Sequence, residues 1–211
     1  MKTRFFLALL LITCSVFADV VTVKTPVWTS KFDTELHTCT MAWWTLTPEM
    51  LGGTRFPRTN KFIASPVIPN TNYNKDYVGT LYDKGHQSPA EDNGFSAEAE
   101  ARCFGFDNMI AQAHLLNEQT WLRLESYCRS LVLTKHESLF IVCGGVGFHT
   151  TIGPDKVSVP DFCWKAIKEG NVWSAWLFPN VSTVIAKPYT GYAIPMADLD
   201  AKLGFKVEDI K

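Results

Sequence analysis

His86 is the residue of this chain whose type and setting best suit proton transfer. It stands in the segment YDKGHQSPAED, residues 82–92. A neutral imidazole with a pKa of about 6.5 can take a proton from water at neutral pH, as a hydrolase requires. Because Gly85 permits a tight turn, we expect the histidine in a polar loop with its ring exposed. The alternative is a surface histidine in a turn that does no chemistry.

Asn117 and Glu125 stand eight residues apart in a segment with helical periodicity. Apolar residues recur there at the spacing of one buried stripe: Trp121, Leu124, Cys128 and Leu131. On one helix, an eight-residue separation places the two polar side chains within about 80° of each other. Two alternatives remain, with Asn117 as a helix N-cap and Glu125 as the surface ion-pair partner of Arg129.

Residues 1–18 have the pattern of a cleaved export signal. Lys2 and Arg4 precede the apolar run 5–12, and Ala18 ends a small-residue cleavage pattern, so the mature chain is expected to begin at Asp19. The apolar run is shorter than the roughly 20 residues that a membrane-spanning helix needs. Cys14 leaves a lipoprotein anchor as a minor alternative. We therefore expect a secreted or periplasmic protein, free of the membrane after signal removal.

The charge of the mature chain excludes a basic nucleic-acid coat. Without residues 1–18, the 20 basic and 21 acidic residues become 18 and 21, a net charge of −3. Any polyanion must then be met by local charge. Between residues 55 and 84, five basic residues face only two acidic ones: Arg55, Arg58, Lys61, Lys75 and Lys84 against Asp76 and Asp83. A solvated loop face is the alternative interpretation.

Cysteine content and length predict one compact domain over residues 19–211. Five cysteines follow the signal, which allows up to two disulfides and an odd thiol in an oxidising compartment: Cys39, Cys103, Cys128, Cys143 and Cys163. Their spacing contains no CxxC, so a zinc ribbon is not expected. The chain length and its 46% hydrophobic content suffice for one well-buried core.

The secondary-structure signals predict an α+β fold. Strands are expected at 20–27, 39–47, 139–144, 162–167 and 172–178, the last two as a hairpin. Helices are expected at 96–103, capped by Ser96, from 117 onward, and within 196–206, ended by Gly204. Residues 48–74 predict a long loop of the kind that often carries function. No βαβ alternation is present, which favours α+β.

Several familiar catalytic motifs are absent, whereas another pattern is present. The sequence has no GxSxG, HExxH or GxxxxGK[ST] motif. Residues 82–92 together with FGFDNMIAQAHLLNEQTWLRLE, residues 104–125, resemble the DNA/RNA non-specific endonucleases, or ββα-metal nucleases. That family's signature runs DRGH, then NM[ST]PQ, then LNxxxWxxLE. Further similar segments, at 41–47, 58–66, 142–145, 159–167 and 197–205, extend the resemblance over nearly all of the mature chain.

The resemblance implies a fold and a set of roles. The fold would be a ββα-metal nuclease domain, a central, mostly antiparallel sheet flanked by helices. His86 would be the general base that activates water. Asn117 would bind a single divalent ion, Mg²⁺ with Mn²⁺ as a substitute, and Glu125 would hold the water shell of that ion. One carboxamide oxygen and several waters suit such a hard, hydrated cation.

The resemblance also assigns supporting residues. Arg58 would neutralise charge on the phosphorus-bound oxygens, although Arg55 stands close enough to be the matching residue. Asn108 would support the site by hydrogen bonding. Lys84 occupies a position where arginine is commoner, and lysine provides a point charge without bidentate geometry. Two further departures are Ile110-Ala111 in place of Ser/Thr-Pro, and Ser65 in place of an aspartate.

The implied activity is hydrolysis of DNA and RNA phosphodiesters to 5′-phosphate ends, with little sequence preference because backbone contacts carry no base information. Two alternatives remain open. One is a nuclease-fold protein that binds nucleic acid without turnover, and the other is a nonspecific phosphodiesterase of small diesters. A monomer and a homodimer are equally compatible with the sequence.

Overall fold

The computed structural model describes residues 19–181 and 188–211. The strands in these residues are β1 Val20–Lys24, β2 Trp28–Asp33, β3 Thr38–Leu46, β4 Tyr82–His86, β5 Met109–Ala113, β6 Leu139–Ile152, β7 Val157–Glu169, β8 Val172–Pro179 and β9 Ala193–Ile194. An antiparallel sheet contains seven of them in the order β1-β2-β3-β6-β7-β8-β9, and β4 pairs with β5 in a separate antiparallel sheet.

Helices pack around this sheet. The α-helices are α1 Pro48–Leu51, α2 Ala90–Asn93, α3 Ala97–Cys103, α4 Leu122–Lys135 and α5 Met196–Leu203. A π-helical segment, Leu116–Trp121, runs directly into α4. Short 3₁₀ turns lie at Phe106–Asn108, Tyr189–Tyr192 and Val207–Asp209. The predicted α+β class is therefore confirmed.

The core lies on both faces of the large sheet, because alternate residues of a strand point to opposite sides. On β6, Ile141 and Cys143 pack into the cluster that includes Trp121 and Leu124 from the α4 side. Val142, between them, packs into a second cluster with Leu199 of α5. The large sheet thus has α4 on one face and α5 on the other.

Several elements agree with the sequence predictions. Strand β3, the β7–β8 hairpin and α5 form as expected, and Gly204 ends α5 with φ 76°. Ser96 caps α3 by accepting a hydrogen bond of 3.3 Å from the Ala99 amide. The single strand expected at 20–27 is wrong, since β1 ends at Lys24 and β2 begins at Trp28.

The polar loop expected around His86 is also wrong. Residues 82–86 form β4, which pairs with β5 in a register that sets His86 opposite Met109 and Asp83 opposite Gln112. The π-helical segment and α4 follow β5 closely along the chain. The two strands and the helix form one compact unit, and this unit carries most of the predicted site.

The described cysteines form none of the disulfides that the sequence allowed. All five described cysteines are buried and free: Cys39, Cys103, Cys128, Cys143 and Cys163. Burial disfavours a thiolate and raises the pKa of Cys143 to about 12, so that thiol is unreactive at neutral pH. Among the described residues, the core is therefore stabilised by packing and not by disulfide bonds.

The predicted export signal, residues 1–18, lies outside the described residues. Within the described ranges, no helix is long and apolar enough to cross a membrane.

Candidate active site

A cavity of about 660 Å³ opens between the loop after α1, strand β4 and the start of α4. Its wall includes five of the six residues singled out from the sequence: Arg58, Lys84, His86, Asn117 and Glu125. Asn108 does not belong to the wall. The structure therefore brings together residues that are up to 67 positions apart in the sequence.

His86 is buried at the end of β4, with only 8% of its surface exposed. Its ring packs edge-on against Phe104, with 4.7 Å between centroids, and at 5.7 Å from Phe62. The expected exposed ring is therefore wrong, because the strand carries the side chain inward. The ring atom Nε2 is buried and has no hydrogen-bond partner among the described residues. A buried polar atom without a partner is costly, so this atom is suited to a water or ligand atom in the cavity.

The surroundings of His86 keep its ring neutral. Burial, and secondarily the positive charge of Arg58, lower the pKa of His86 to about 3. The neutral ring is the form that can accept a proton. The environment that buries the ring thus leaves it unprotonated at neutral pH, and the lowered pKa also makes the free ring a weaker proton acceptor.

Gly85 is required by close packing and not by a turn. A Cβ atom at this position would stand 2.5 Å from Gln112 Oε1 and 2.7 Å from Gln112 Cβ. Both distances are far below a normal contact, so a side chain here would displace Gln112 or push β4 away from β5. Glycine therefore fixes the distance between the two strands that hold His86.

The structure distinguishes the two candidate arginines. Arg58 lies on the cavity wall, with its guanidinium 5.2 Å from the centre of the Phe104 ring and its Nε donating to Asn60 Oδ1 at 2.7 Å. The guanidinium of Arg55 instead donates to the carbonyl oxygens of Met50 and Glu91. Arg58 is the one of the two that can meet a ligand in the cavity.

Lys84 projects into the same cavity between two aromatic rings. Its Nζ lies 4.6 Å from the centre of the Phe62 ring and 5.6 Å from that of Tyr77. Burial lowers the pKa of this amine, and the neighbouring Asp83 carboxylate opposes that shift. Lysine at this position thus supplies a single positive charge held against an aromatic surface.

Asn117 is the second residue of the π-helical segment and does not cap it, because Leu115 occupies the N-cap position. Its Nδ2 donates to Asp83 Oδ2 at 2.9 Å and lies 3.4 Å from Glu118 Oε1. With the amide nitrogen engaged by carboxylates, the amide oxygen is the atom available to a cation. The cap alternative is therefore wrong for this residue.

Asp83 is a site residue that sequence reasoning missed. Its carboxylate accepts from Asn117 and also lies 3.0 Å from Nδ1 of His114. Asp83 and Asn117 are 34 residues apart, so no local pattern joins them. The available signal was an aspartate three residues before a candidate base, within the same short motif.

Glu125 is buried, with 7% of its surface exposed, and still reaches the cavity wall. Its Oε1 lies 3.5 Å from Nζ of Lys165, which is itself 1% exposed. The alternative of a surface ion pair with Arg129 is wrong, since Arg129 pairs with Asp92 at 3.1 Å. Burial raises the pKa of Glu125, and the positive charge of Lys165 counteracts that shift.

Asn108 is fully buried and uses both ends of its amide on the backbone. Its Nδ2 donates to the carbonyls of Ser88 and Cys103, each at 2.8 Å, and its Oδ1 accepts from the Ser88 amide at 2.9 Å. These bonds fix the chain immediately after His86. Asn108 therefore occupies a supporting position behind the cavity.

The sequence matches a family whose description fits this geometry. A family model described as DNA/RNA non-specific endonuclease matches residues 13–209. The chain belongs to this family. The matched range includes every cavity residue discussed above.

Individual relatives of this DNA/RNA non-specific endonuclease family member are moderately similar to it in sequence. The human mitochondrial nuclease EXOG is 31% identical over 166 residues, covering 68% of this chain and 45% of that protein. The mitochondrial nuclease of Saccharomyces cerevisiae is 29% identical over 190 residues, covering 77% of this chain and 57% of that protein. A nuclease of Nostoc is 38% identical over 91 residues, 43% of this chain and 33% of that protein. The chain spans about half the length of the first two.

Solved structures show the same fold. The structure of an EndoG/EndoGI complex matches with a TM-score of 0.77 at 19% sequence identity, covering 87% of this chain and 83% of that chain. At this identity the likeness concerns the fold, and it confirms the expected ββα-metal nuclease architecture.

The donor atoms of this family member fit a divalent ion bound mainly through water. Within the described ranges, no three His, Cys, Asp or Glu side chains lie close enough together to hold a metal ion. A divalent ion held by the amide oxygen of Asn117, with the Glu125 carboxylate on the same wall, would have most of its ligand positions left to water. Mg²⁺ is commonly held in that way.

The charges on the cavity wall also favour a cation. Four carboxylates face two basic side chains: Asp83, Glu91, Glu118 and Glu125 against Arg58 and Lys84. Negative charge in such a confined cleft repels a phosphate. A divalent cation in the cavity would offset this excess of negative charge.

Proposed function

We propose that this protein is a metal-dependent endonuclease that hydrolyses DNA and RNA with little sequence preference. The observation that carries the proposal is the buried, neutral His86, with its unpartnered Nε2, on a cavity wall shared with Arg58 and Asn117. A base, a fork of donors and an oxygen ligand are what phosphodiester hydrolysis needs.

The proposed reaction assigns one task to each side chain. His86 accepts a proton from water as the water oxygen bonds to phosphorus. The bond from phosphorus to the 3′ oxygen breaks, the leaving oxygen takes up a proton, and the phosphate remains on the 5′ end. Arg58 donates hydrogen bonds to the phosphate oxygens, where charge accumulates. Lys84 adds a second positive charge at the cavity wall.

The metal site is proposed at Asn117, with Glu125 as the residue that holds the water shell. Mg²⁺, or Mn²⁺ in its place, would stabilise negative charge on the phosphate and on the leaving oxygen when bound. Asp83 keeps the Asn117 amide nitrogen engaged, so its oxygen is directed to the cation.

Export from the cell is proposed on the pattern of residues 1–18, with mature protein beginning at Asp19. The relatives named above from human and yeast are mitochondrial nucleases, so the competing destination is an organelle. Amino-terminal sequencing of protein from the culture medium, the periplasm or the organelle decides between the two.

The central experiment is cleavage of supercoiled plasmid and of a structureless RNA, with Mg²⁺ and with EDTA. Wild-type protein is expected to cut both only with the metal. His86→Ala should lower kcat by about 10²–10⁴-fold. Because the ring is buried, removing it could unfold the protein. His86→Gln, which retains more side-chain volume, is therefore assayed beside His86→Ala, and a circular dichroism spectrum of each variant tests whether it is folded. Near-wild-type cutting by a folded variant would remove His86 from the mechanism.

The same assays separate the remaining alternatives. Binding of nucleic acid without Mg²⁺-dependent cutting would favour a binding protein with the nuclease fold. A higher kcat/KM on bis-nitrophenyl phosphate than on plasmid would favour a phosphodiesterase of small diesters.

A further inference from the structure

We propose that Lys165 is a positioning residue that holds the Glu125 carboxylate in place from behind the cavity wall. The inference rests on the proposed function, since it concerns how Glu125 is prepared to hold the water shell of the metal. Nothing in the sequence motif that contains Glu125 includes Lys165, which lies 40 residues further along the chain.

Lys165 occupies an unusual position for a lysine. It lies in the middle of β7, between Cys143 on β6 and Trp176 on β8, and is 1% exposed. Its Nζ lies 3.5 Å from Glu125 Oε1. Glu125 contributes to the cavity wall and Lys165 does not. The ammonium therefore contacts the carboxylate from the protein side and leaves its other side to the cavity.

Two tryptophans hold the ammonium where it is. Its Nζ lies 4.3 Å from the centre of the Trp121 ring and 5.7 Å from that of Trp44. Cation–π contacts of this kind partly replace lost hydration and restrict the position of the charge. Trp121 lies one turn before Glu125 on the same helical stretch. The lysine therefore contacts the same segment that carries the carboxylate it positions.

Arg129 is not available for this task, although it lies one helical turn beyond Glu125. Its guanidinium pairs with Asp92 Oδ1 at 3.1 Å, and Asp92 Oδ2 accepts from the Trp44 indole at 3.0 Å. The buried charges beside Glu125 thus form two pairs, one that joins α4 to α2 and one that joins α4 to β7. Only the second pair includes a residue of the cavity wall.

Stability alone does not account for the Lys165–Glu125 pair. Desolvation of two buried charges often outweighs their attraction, and apolar residues of similar volume commonly give an equally stable fold. The pair does provide a fixed orientation for a carboxylate that must act on water in the cavity. Partners of this type typically alter metal affinity when they are removed.

The test is a double-mutant cycle with Lys165→Met, Glu125→Gln and the double variant. Mn²⁺ binding is measured by calorimetry on the folded protein, and plasmid cleavage is measured against Mg²⁺ concentration. Lys165→Met should weaken Mn²⁺ binding by about 10–100-fold. Added to Glu125→Gln, it should change binding by less than about twofold, because the lysine acts through the carboxylate. Lys168→Met, on the same strand beside Trp173, should bind like wild type.

Each outcome has one meaning. Wild-type Mn²⁺ affinity in folded Lys165→Met, or an equal loss in both backgrounds, overturns the positioning role while the proposed function stands. Wild-type binding and cutting by Glu125→Gln overturns the role of Glu125, and with it this inference. If Lys165→Met does not fold, Glu125→Gln is compared with Glu125→Gln/Lys165→Met, which contains no unpaired charge at the pair. A further loss in that comparison overturns the proposal, and no further loss supports it.

Discussion

The side-chain nitrogen of Asn117 donates a 2.9 Å hydrogen bond to Oδ2 of Asp83. This contact determines which end of the amide is left for a ligand, because the carboxylate can only accept. A histidine, His114, contacts the same carboxylate at 3.0 Å. A residue of β4 therefore sets the orientation of a residue of the helical segment.

Asn117→Ala is expected to abolish cutting at ordinary Mg²⁺ and to recover part of it at much higher Mg²⁺ or with Mn²⁺, because a weakened site fills by mass action. Asn117 does not cap a helix, so the melting temperature should change little. The measurement is initial rate against metal concentration. Unchanged metal dependence would place the ion elsewhere.

Asp83→Asn should also weaken metal binding and raise the half-saturating Mg²⁺ concentration by about 10–100-fold, because the Asn117 amide loses its fixed orientation. Asp161→Asn is the matched control, since it alters an exposed aspartate–histidine pair, with His149 at 2.7 Å, away from the cavity. Metal titrations of both variants are compared. Equal curves for the two would show that Asp83 does not orient the ligand.

Arg58→Ala should reduce kcat by about 10²–10³-fold, the usual cost of losing a donor to developing charge. Arg58→Lys should recover only part of this, since it lacks the planar fork. Arg55→Ala should cut normally, because its guanidinium bonds to the carbonyls of Met50 and Glu91. The reverse ranking of the two alanine variants would contradict the site.

Gly85→Ala should destabilise the protein by about 1–3 kcal/mol, the usual cost of overpacking, since the new methyl group would lie 2.5 Å from Gln112 Oε1. A second substitution, at Gln112, tests whether this contact causes the loss of stability. Gln112→Gly, which also removes the Cβ atom at 2.7 Å, combined with Gly85→Ala should lose less than the sum of the single changes, as measured by urea denaturation. Additive losses would mean that the glycine serves another purpose.

The stability of the protein should fall between pH 7 and pH 5 in a way that depends on His86. The pKa of this ring is lowered to about 3 in the folded protein, against about 6.5 when unfolded. Below pH 6.5 the unfolded chain therefore binds a proton that the folded chain does not, and stability is lost as the pH falls toward 3. Over the two pH units, His86 contributes a loss of about 2 kcal/mol. Urea denaturation of His86→Gln at both pH values should show a loss smaller by this amount.

Local signals were sufficient for the elements whose stability is local. The apolar stripe through Trp121, Leu124 and Cys128 predicts α4, and those side chains are buried. The hydroxyl of Ser96 predicts the start of α3. The motif around His86, together with the segments 58–66 and 104–125, predicts five of the cavity residues once their resemblance to a family is considered.

Tertiary contacts determined what the sequence did not predict. Residues 82–86 are polar and contain a glycine, so they favour a loop, yet β4 forms because Gly85 admits Gln112 against it. The burial of His86 follows from that strand and from Phe104. Lys165 interrupts an apolar strand, which is a visible signal, but its partner is 40 residues away.

The five buried cysteines, none of which forms a disulfide, can report on local opening of the structure. Each described cysteine is shielded from solvent, so an alkylating reagent can reach it only when the surrounding structure separates. Cys103 is the last residue of α3 and packs with Ala90, a residue of the cavity wall, whereas Cys143 and Cys163 lie in adjacent strands of the large sheet. Mass spectrometry of alkylation over time would therefore rank the cleft and the sheet by how often each one opens, with no engineered label.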